Sequence, residues 1–254
     1  MAHPLAGPTY KGENRTPRPL LAAASMGSRV ALLDTALTMC GRFSLTIEIG
    51  PLGHRMGVSL PPGLEQHYAP RGSIAPGEPV LALRQEHGRP EAALMLWGLL
   101  PEWSKDALSA HRPFNARGET VPEKASFRGP WRHRRCLLPA DGFFEKGRLI
   151  RRSDGAPFWL AGLWDRWIGP DGSEVESCCV ITTAANGMIR PLHDRMPVLL
   201  PDGLEQAWLA PADGPGLRIL EPLLGAWDPA GWEIQPPLRP PVVRGAGDQL
   251  QLFS

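Results

Sequence analysis

Apolar and polar positions along this chain alternate or cluster in short blocks, and long helical stripes are rare. The stretch "CGRFSLTIEI" alternates as a half-buried strand does. "PVLALRQE" and "AALMLWGLLP" predict two strands around a polar turn at residues 86–90. "RRCLLPADGFFEK" reads as a buried strand, an Asp-Gly turn and a second short strand. "PFWLAGLWDRWI" and "SCCVITTAAN", joined through Asp171-Gly172, predict a hairpin. "DGLEQAWLA" has helical spacing behind an aspartate, so a short helix capped by Asp202 is expected. From Pro236 onward the proline-rich tail predicts extended chain, and no internal repeat is visible. The fold class is α+β: a single domain on a strongly bent, barrel-like mixed or antiparallel sheet with short flanking helices.

Composition narrows the picture. The 254 residues are 43% hydrophobic and 21% charged, the balance of a globular protein. No apolar run approaches the eighteen or so residues of a membrane span, so no membrane partner is expected. A net charge of +1 gives no global attraction to nucleic acid, so such binding needs a local patch. The 28 glycines and 29 prolines fit many turns and short elements.

The first 38 residues lack sustained periodicity. A lipoprotein leader is disfavoured, because Arg29 and Asp34 interrupt the apolar stretch and bulky Met39 precedes Cys40. The expectation is that residues 1–38 are a non-native or disordered extension, that Met39 initiates translation, and that residues 39–254 form the working domain. Four cysteines, Cys40, Cys136, Cys178 and Cys179, form no C-x-x-C pair. Neither a zinc site nor a disulfide framework is indicated, and the last three read as small buried side chains in a reducing cytoplasm. No metal or cofactor is implied.

Candidate chemistry starts at "MCGRF". With Met39 removed, Cys40 would carry an amine and a thiol on adjacent carbons. Their reference pKa values, roughly 7.7–8.0 and about 8.5, leave both partly reactive near neutrality. Such a pair condenses with an aldehyde to a Schiff base and then a thiazolidine. The plain alternative is a buried cysteine of no chemical consequence. "RPFNARGET" places Asn115, Arg117 and Glu119 in a turn-like setting. In "PADGFFEK", Glu145 follows two aromatics, whose apolar wall would raise its pKa and suit it to proton transfer. "IRPLHDRMPVLL" sets His193, Asp194 and Arg195 before an apolar strand. Taken singly, Asn115 could cap a turn, Glu145 could pair with an arginine, and His193 could bond to backbone. "FRGPWRHRRC" offers Arg128, Arg132, Arg134 and Arg135 among Phe127 and Trp131. That mixture suits single-stranded nucleic acid, and equally a solvated helix face with Trp131 in the core.

Together, "MCGRF", "APGEPV", "WGLLPEW", "FNARGET", "RRCLLPADGFFE" and "ITTAAN" followed by "LHDRMPVLL" resemble the SOS-response-associated peptidase family over most of residues 39–252. The resemblance implies a cytoplasmic protein that shields abasic sites in single-stranded DNA, monomeric and without an obligatory protein partner. It implies Cys40, Asn115, Glu145 and His193 as catalytic residues. Cys40 would form a thiazolidine with the abasic aldehyde; Asn115 would orient the sugar or the amine; Glu145 would move protons; His193 would help open the sugar ring. Arg42 and Arg117 would contact phosphates, and Pro76, Trp103 and Thr182 would line the strand path. The family's peptidase label implies a hydrolase, with self-cleavage after Met39 as one route to a free Cys40. Departures from the pattern are Ser73 for a common asparagine, Lys146 for a common tryptophan, and the tail "RPPVVRGAGDQLQLF". Two other readings remain: a cysteine peptidase acting on other proteins through Cys40 and His193, and a non-covalent single-strand-binding module.

Overall fold

The computed structural model describes residues 40–57, 60–107 and 110–237, all within one unit of the chain, Leu37–Ser254. The expected extension over residues 1–38, Met39 itself and the tail from residue 238 lie outside the described residues. The elements in chain order are β1 (Phe43–Leu45), α1 (Ile49–Met56), α2 (Leu64–His67), β2 (Arg71–Ile74), β3 (Pro79–Glu86), β4 (Arg89–Trp97) and β5 (Asn115–Arg117). There follow α3 (Ala125–His133), β6 (Arg135–Ala140), β7 (Gly142–Glu145), β8 (Arg148–Arg152), β9 (Phe158–Ile168) and β10 (Glu174–Ala184). The described chain ends with β11 (Arg195–Pro197), β12 (Leu199–Leu200), α4 (Glu205–Leu209), α5 (Gly214–Leu220) and β13 (Trp232–Ile234).

Five strands close on themselves. β10 pairs β4 in parallel, β4 pairs β3, β3 pairs β6, β6 pairs β9, and β9 returns to β10, the last four antiparallel. Closure removes the free edges an open sheet would expose. The expected mixed, barrel-like sheet is therefore present. Crowding at the seam explains Gly162 on β9, where a Cβ would meet Leu138 Cδ1 at 2.6 Å and the Cys179 carbonyl at 2.9 Å. Cys136, Cys178 and Cys179 are fully buried in this barrel, as the sequence suggested.

A second, antiparallel sheet runs β13-β8-β7-β1-β2. The Asp141-Gly142 pair is a corner, where the chain leaves the barrel after β6 and enters this sheet as β7. Asp141 fixes it by accepting from Ser44 Oγ (2.6 Å) and the Thr46 N–H (2.5 Å). Aromatic contacts join the layers: Phe43 to Trp97 at 5.0 Å and Phe143 to Phe158 at 6.4 Å. Each such fully buried side chain contributes about 1.5–3 kcal/mol.

Several local expectations hold and some change. The β3–β4 and β9–β10 hairpins appear where the pattern placed them. "CGRFSLTIEI" is strand only over β1, and its last residue, Ile49, begins α1. The helix in "DGLEQAWLA" is α4, but Asp202 does not cap it; the N-cap is Leu204, and Asp202 pairs with Arg152 at 3.2 Å. In "FRGPWRHRRC" the helix reading wins. Phe127 and Trp131 of α3 are buried, Arg135 donates inward to the Trp208 carbonyl at 2.7 Å, and Arg134 pairs with Glu102 and Asp165. Of the four arginines in that run, only Arg128 and Arg132 are fully on the surface.

Candidate active site

The site forms where the second sheet meets the last residues of β10. Two backbone devices place its first two residues. β1 and β7 register Phe43 against Phe143, and the Phe144 N–H donates to the Arg42 carbonyl at 2.9 Å. Extending that ladder brings Cys40 beside the β7–β8 turn. That turn holds Lys146 at φ +47° and Gly147 at φ +72° between the paired Glu145 and Arg148. Two successive positive φ values define the two-residue turn that matches strand twist, so Glu145 is fixed as the last strand residue. Cys40 itself is left-handed (φ +39°), a strained state for a residue with a side chain.

Both polar atoms of Cys40 face one carboxylate oxygen. Its N–H donates to Glu145 Oε2 at 3.3 Å, and Sγ lies 3.8 Å from the same oxygen. Cys40 is 5% exposed and Glu145 4%. Burial raises the Glu145 pKa, only partly offset by the Cys40 N–H and by His193. Burial, and then the Glu145 charge, push the Cys40 thiol well above its ordinary value. The sequence argument for a standing thiolate fraction near neutrality is thus corrected. The sulfur is kept as a thiol and needs a base when it reacts, and Glu145 is the group within reach.

His193 follows a turn organised by Asn186, whose Oδ1 accepts the Met188 and Ile189 N–H groups at 3.1 and 3.0 Å. The His193 N–H donates to the Ile189 carbonyl at 3.0 Å, and Nδ1 accepts the Arg195 N–H at 2.9 Å. His193 acts electrostatically on Glu145, which ties β11 and its approach to the Cys40 pocket. Asn115 opens β5, in parallel register with Val180 on β10, half-buried.

Arg42 and Arg117 are exposed. Pro76 sits in a turn closed by the Glu78 N–H to the Ala75 carbonyl (3.2 Å), with Gly77 at φ +90°. Thr182 is fully buried, with its carbonyl and hydroxyl 2.6 and 3.3 Å from Arg195 Nη2, so it supports Arg195 instead of facing solvent. Trp103 is 62% exposed; the neighbouring Glu102 N–H bonds Asp165 at 3.0 Å, and Asp165 registers with Ser177. Ser177 precedes Thr182 by five positions, about 16 Å of strand. The Glu119–Arg195 pair was missed as a unit, although both residues stand inside the motifs "NARGET" and "HDRMP".

The family model for "SOS response associated peptidase (SRAP)" matches residues 39–235. The chain belongs to the SOS response associated peptidase family. The match to this family begins at Met39, immediately before Cys40. Among family relatives, the "Abasic site processing protein YoqW" of Bacillus subtilis is 36% identical over 184 residues, covering 68% of this chain and 81% of the relative. "Abasic site processing protein HMCES" of Xenopus tropicalis is 27% identical over 241 residues, covering 73% and 71%. A crystal structure of a Bacteroides thetaiotaomicron protein has a TM-score of 0.70 at 26% identity, covering 77% of this chain and 90% of that one. Among the described residues of this SRAP protein, no helix is long and apolar enough to cross a membrane.

Proposed function

We propose that this protein processes abasic sites in single-stranded DNA by covalent capture on Cys40, once the residues before Cys40 have been removed. One observation carries the reading: the nitrogen and sulfur of Cys40 share a single carboxylate oxygen of Glu145. Relatives named as abasic site processing proteins support the substrate.

The chemistry balances with these groups alone. The freed Cys40 amine adds to the C1′ aldehyde of the ring-opened sugar, giving a carbinolamine. Glu145, whose burial favours the protonated form, gives a proton to the hydroxyl, water leaves, and an iminium remains. The resulting carboxylate takes the thiol proton as Sγ closes on the iminium carbon. One thiazolidine and one water result, with no oxidant or metal. His193, through Nε2–H, would protonate the ring oxygen as the sugar opens, and Asn115 would hold the sugar or amine. An abasic nucleotide has no base to unstack, which lowers the cost of bending it toward so buried a thiol. The peptidase label fits release of Cys40 by cleavage after Met39.

The test uses protein beginning at Cys40 and an oligonucleotide with one abasic site. A complex that survives denaturing electrophoresis is expected, and Cys40→Ala should form none. Acylating the Cys40 amine should also abolish it, whereas a thiol-only peptidase chemistry would survive acylation. If high salt dissociates the complex completely, binding is non-covalent and the proposal fails.

A further inference from the structure

Two neighbours of His193 Nδ1 require opposite protonation states. The Arg195 N–H, 2.9 Å away, needs a bare lone pair, whereas Asp194 Oδ1, 2.8 Å away, needs an Nδ1 proton. A neutral imidazole satisfies only one of them, and the choice fixes whether Nε2 carries the ring proton. The two competitors are held very differently. The Asp194 side chain is 84% exposed. Arg195 is anchored through strand register with Ala184 and by its guanidinium, which donates to Glu119 Oε1 at 2.6 Å, Glu119 Oε2 at 2.8 Å and the Thr182 carbonyl at 2.6 Å.

We infer that Glu119 is a positioning residue that sets the tautomer of His193. By clamping Arg195 it keeps the Arg195 N–H on Nδ1 and the ring proton on Nε2. The inference rests on the proposed capture reaction, in which Nε2–H is the donor to the sugar ring oxygen. A bidentate pair suits the task, because two parallel hydrogen bonds fix orientation as well as distance. The Arg195 hydrogen bond holds the Glu119 carboxyl below its usual range, so the clamp stays charged at neutral pH. Among the described residues, the charged side chains seen to interact with the ring are Asp194 on its own segment and Glu145 from β7, while Arg195 meets it through its backbone N–H.

The experiment is a long-range ¹H–¹⁵N spectrum of histidine-labelled protein recorded without DNA, with His193 assigned by His193→Gln. Capture rates on the abasic oligonucleotide are measured alongside. Wild type should show the Nε2–H form. Glu119→Ala should move the proton toward Nδ1 and slow capture by about ten- to a hundredfold, the range found when groups orienting a functional histidine are removed. Glu119→Asp should recover most of both. Adding Asp194→Ala to Glu119→Ala removes the rival acceptor and should restore Nε2–H. Should Glu119→Ala not fold, Glu119→Gln preserves the shape and gives the same reading. An unchanged tautomer with an unchanged rate overturns the inference. Because the spectrum needs no DNA, failure of covalent capture by the wild type would be seen separately from failure of the clamp.

Discussion

The two ends of β10 are built on opposite electrostatic principles. At its beginning, Glu176 meets Arg84 at 2.5 Å and Arg166 at 2.7 Å, and Glu86 meets the same two arginines at 2.5 and 2.6 Å. All three of Arg84, Arg134 and Arg166 lie over the Trp164 ring, Arg84 at 4.4 Å. Near its other end, burial leaves Glu145 with a raised pKa and a cysteine thiol as its near neighbour, and Cys40 stands in a strained backbone conformation. The first arrangement pairs its carboxylates with guanidinium groups, although the buried Arg84 Nε has no hydrogen-bond partner among the described residues. The second leaves a buried carboxyl whose burial disfavours its charged form, which is costly for the fold and useful for chemistry.

The difference can be attacked from either end. Cys40→Ala should abolish the denaturant-stable adduct while the protein still melts as a folded unit, read by gel and by calorimetry together. Glu145→Gln should slow adduct formation by about 10²–10⁴-fold, yet raise the melting temperature at neutral pH by removing a buried charge. The sign follows from linkage: a carboxyl with a raised folded pKa binds protons more tightly in the native state. Its stabilising contribution is therefore present at low pH and declines as pH rises through that pKa. Unchanged melting across that range would place the carboxylate in a well-solvated setting and weaken its assigned role.

At the other end the responses should reverse. Arg84→Met leaves Glu86 and Glu176 with Arg166 as their shared partner and should destabilise by about 1.5–3 kcal/mol, with adduct rates unchanged in the folded fraction. A variant that lost activity with full stability would show the two ends to be coupled. Gly162→Ala, at the crowded seam, should cost about 1–3 kcal/mol by denaturant melting, again without touching the chemistry. Smallest is the acid response. Burial alone would raise the Glu176 pKa, but hydrogen bonds from Arg84 and Arg166 bring it below normal. Its contribution is therefore present above the unfolded pKa of roughly 4.3 and lost as pH falls below it. Glu176→Gln should flatten the acid limb of the stability curve; a curve of unaltered shape would count against the pairing.

Much of this was legible in the sequence because it is written in local signals. Alternation and turn residues located the β3–β4 and β9–β10 hairpins, and two aromatics before Glu145 correctly signalled a raised carboxyl pKa. What escaped depends on which strands meet. Asp141-Gly142 has turn chemistry, but whether the chain folds back or crosses to another sheet is decided by Ser44, almost a hundred residues upstream. Asp202 looks like a cap, but Arg152 competes for it. "FRGPWRHRRC" is ambiguous because arginine serves buried carbonyls as well as phosphates, and only the fold delivers the Trp208 carbonyl to Arg135. Cys40 was found by its place in the chain, whereas its burial and high thiol pKa required the partner strand β7.

The central claim is that nitrogen and sulfur of Cys40 together close a ring on an abasic aldehyde. Intact-mass measurement of the purified adduct, followed by peptide mapping, tests it most directly. The account predicts the mass of protein beginning at Cys40 plus the oligonucleotide less one water, stable without reduction and mapped to that cysteine. An adduct that retains the water, maps elsewhere, or forms while the Cys40 nitrogen is still in a peptide bond would contradict it.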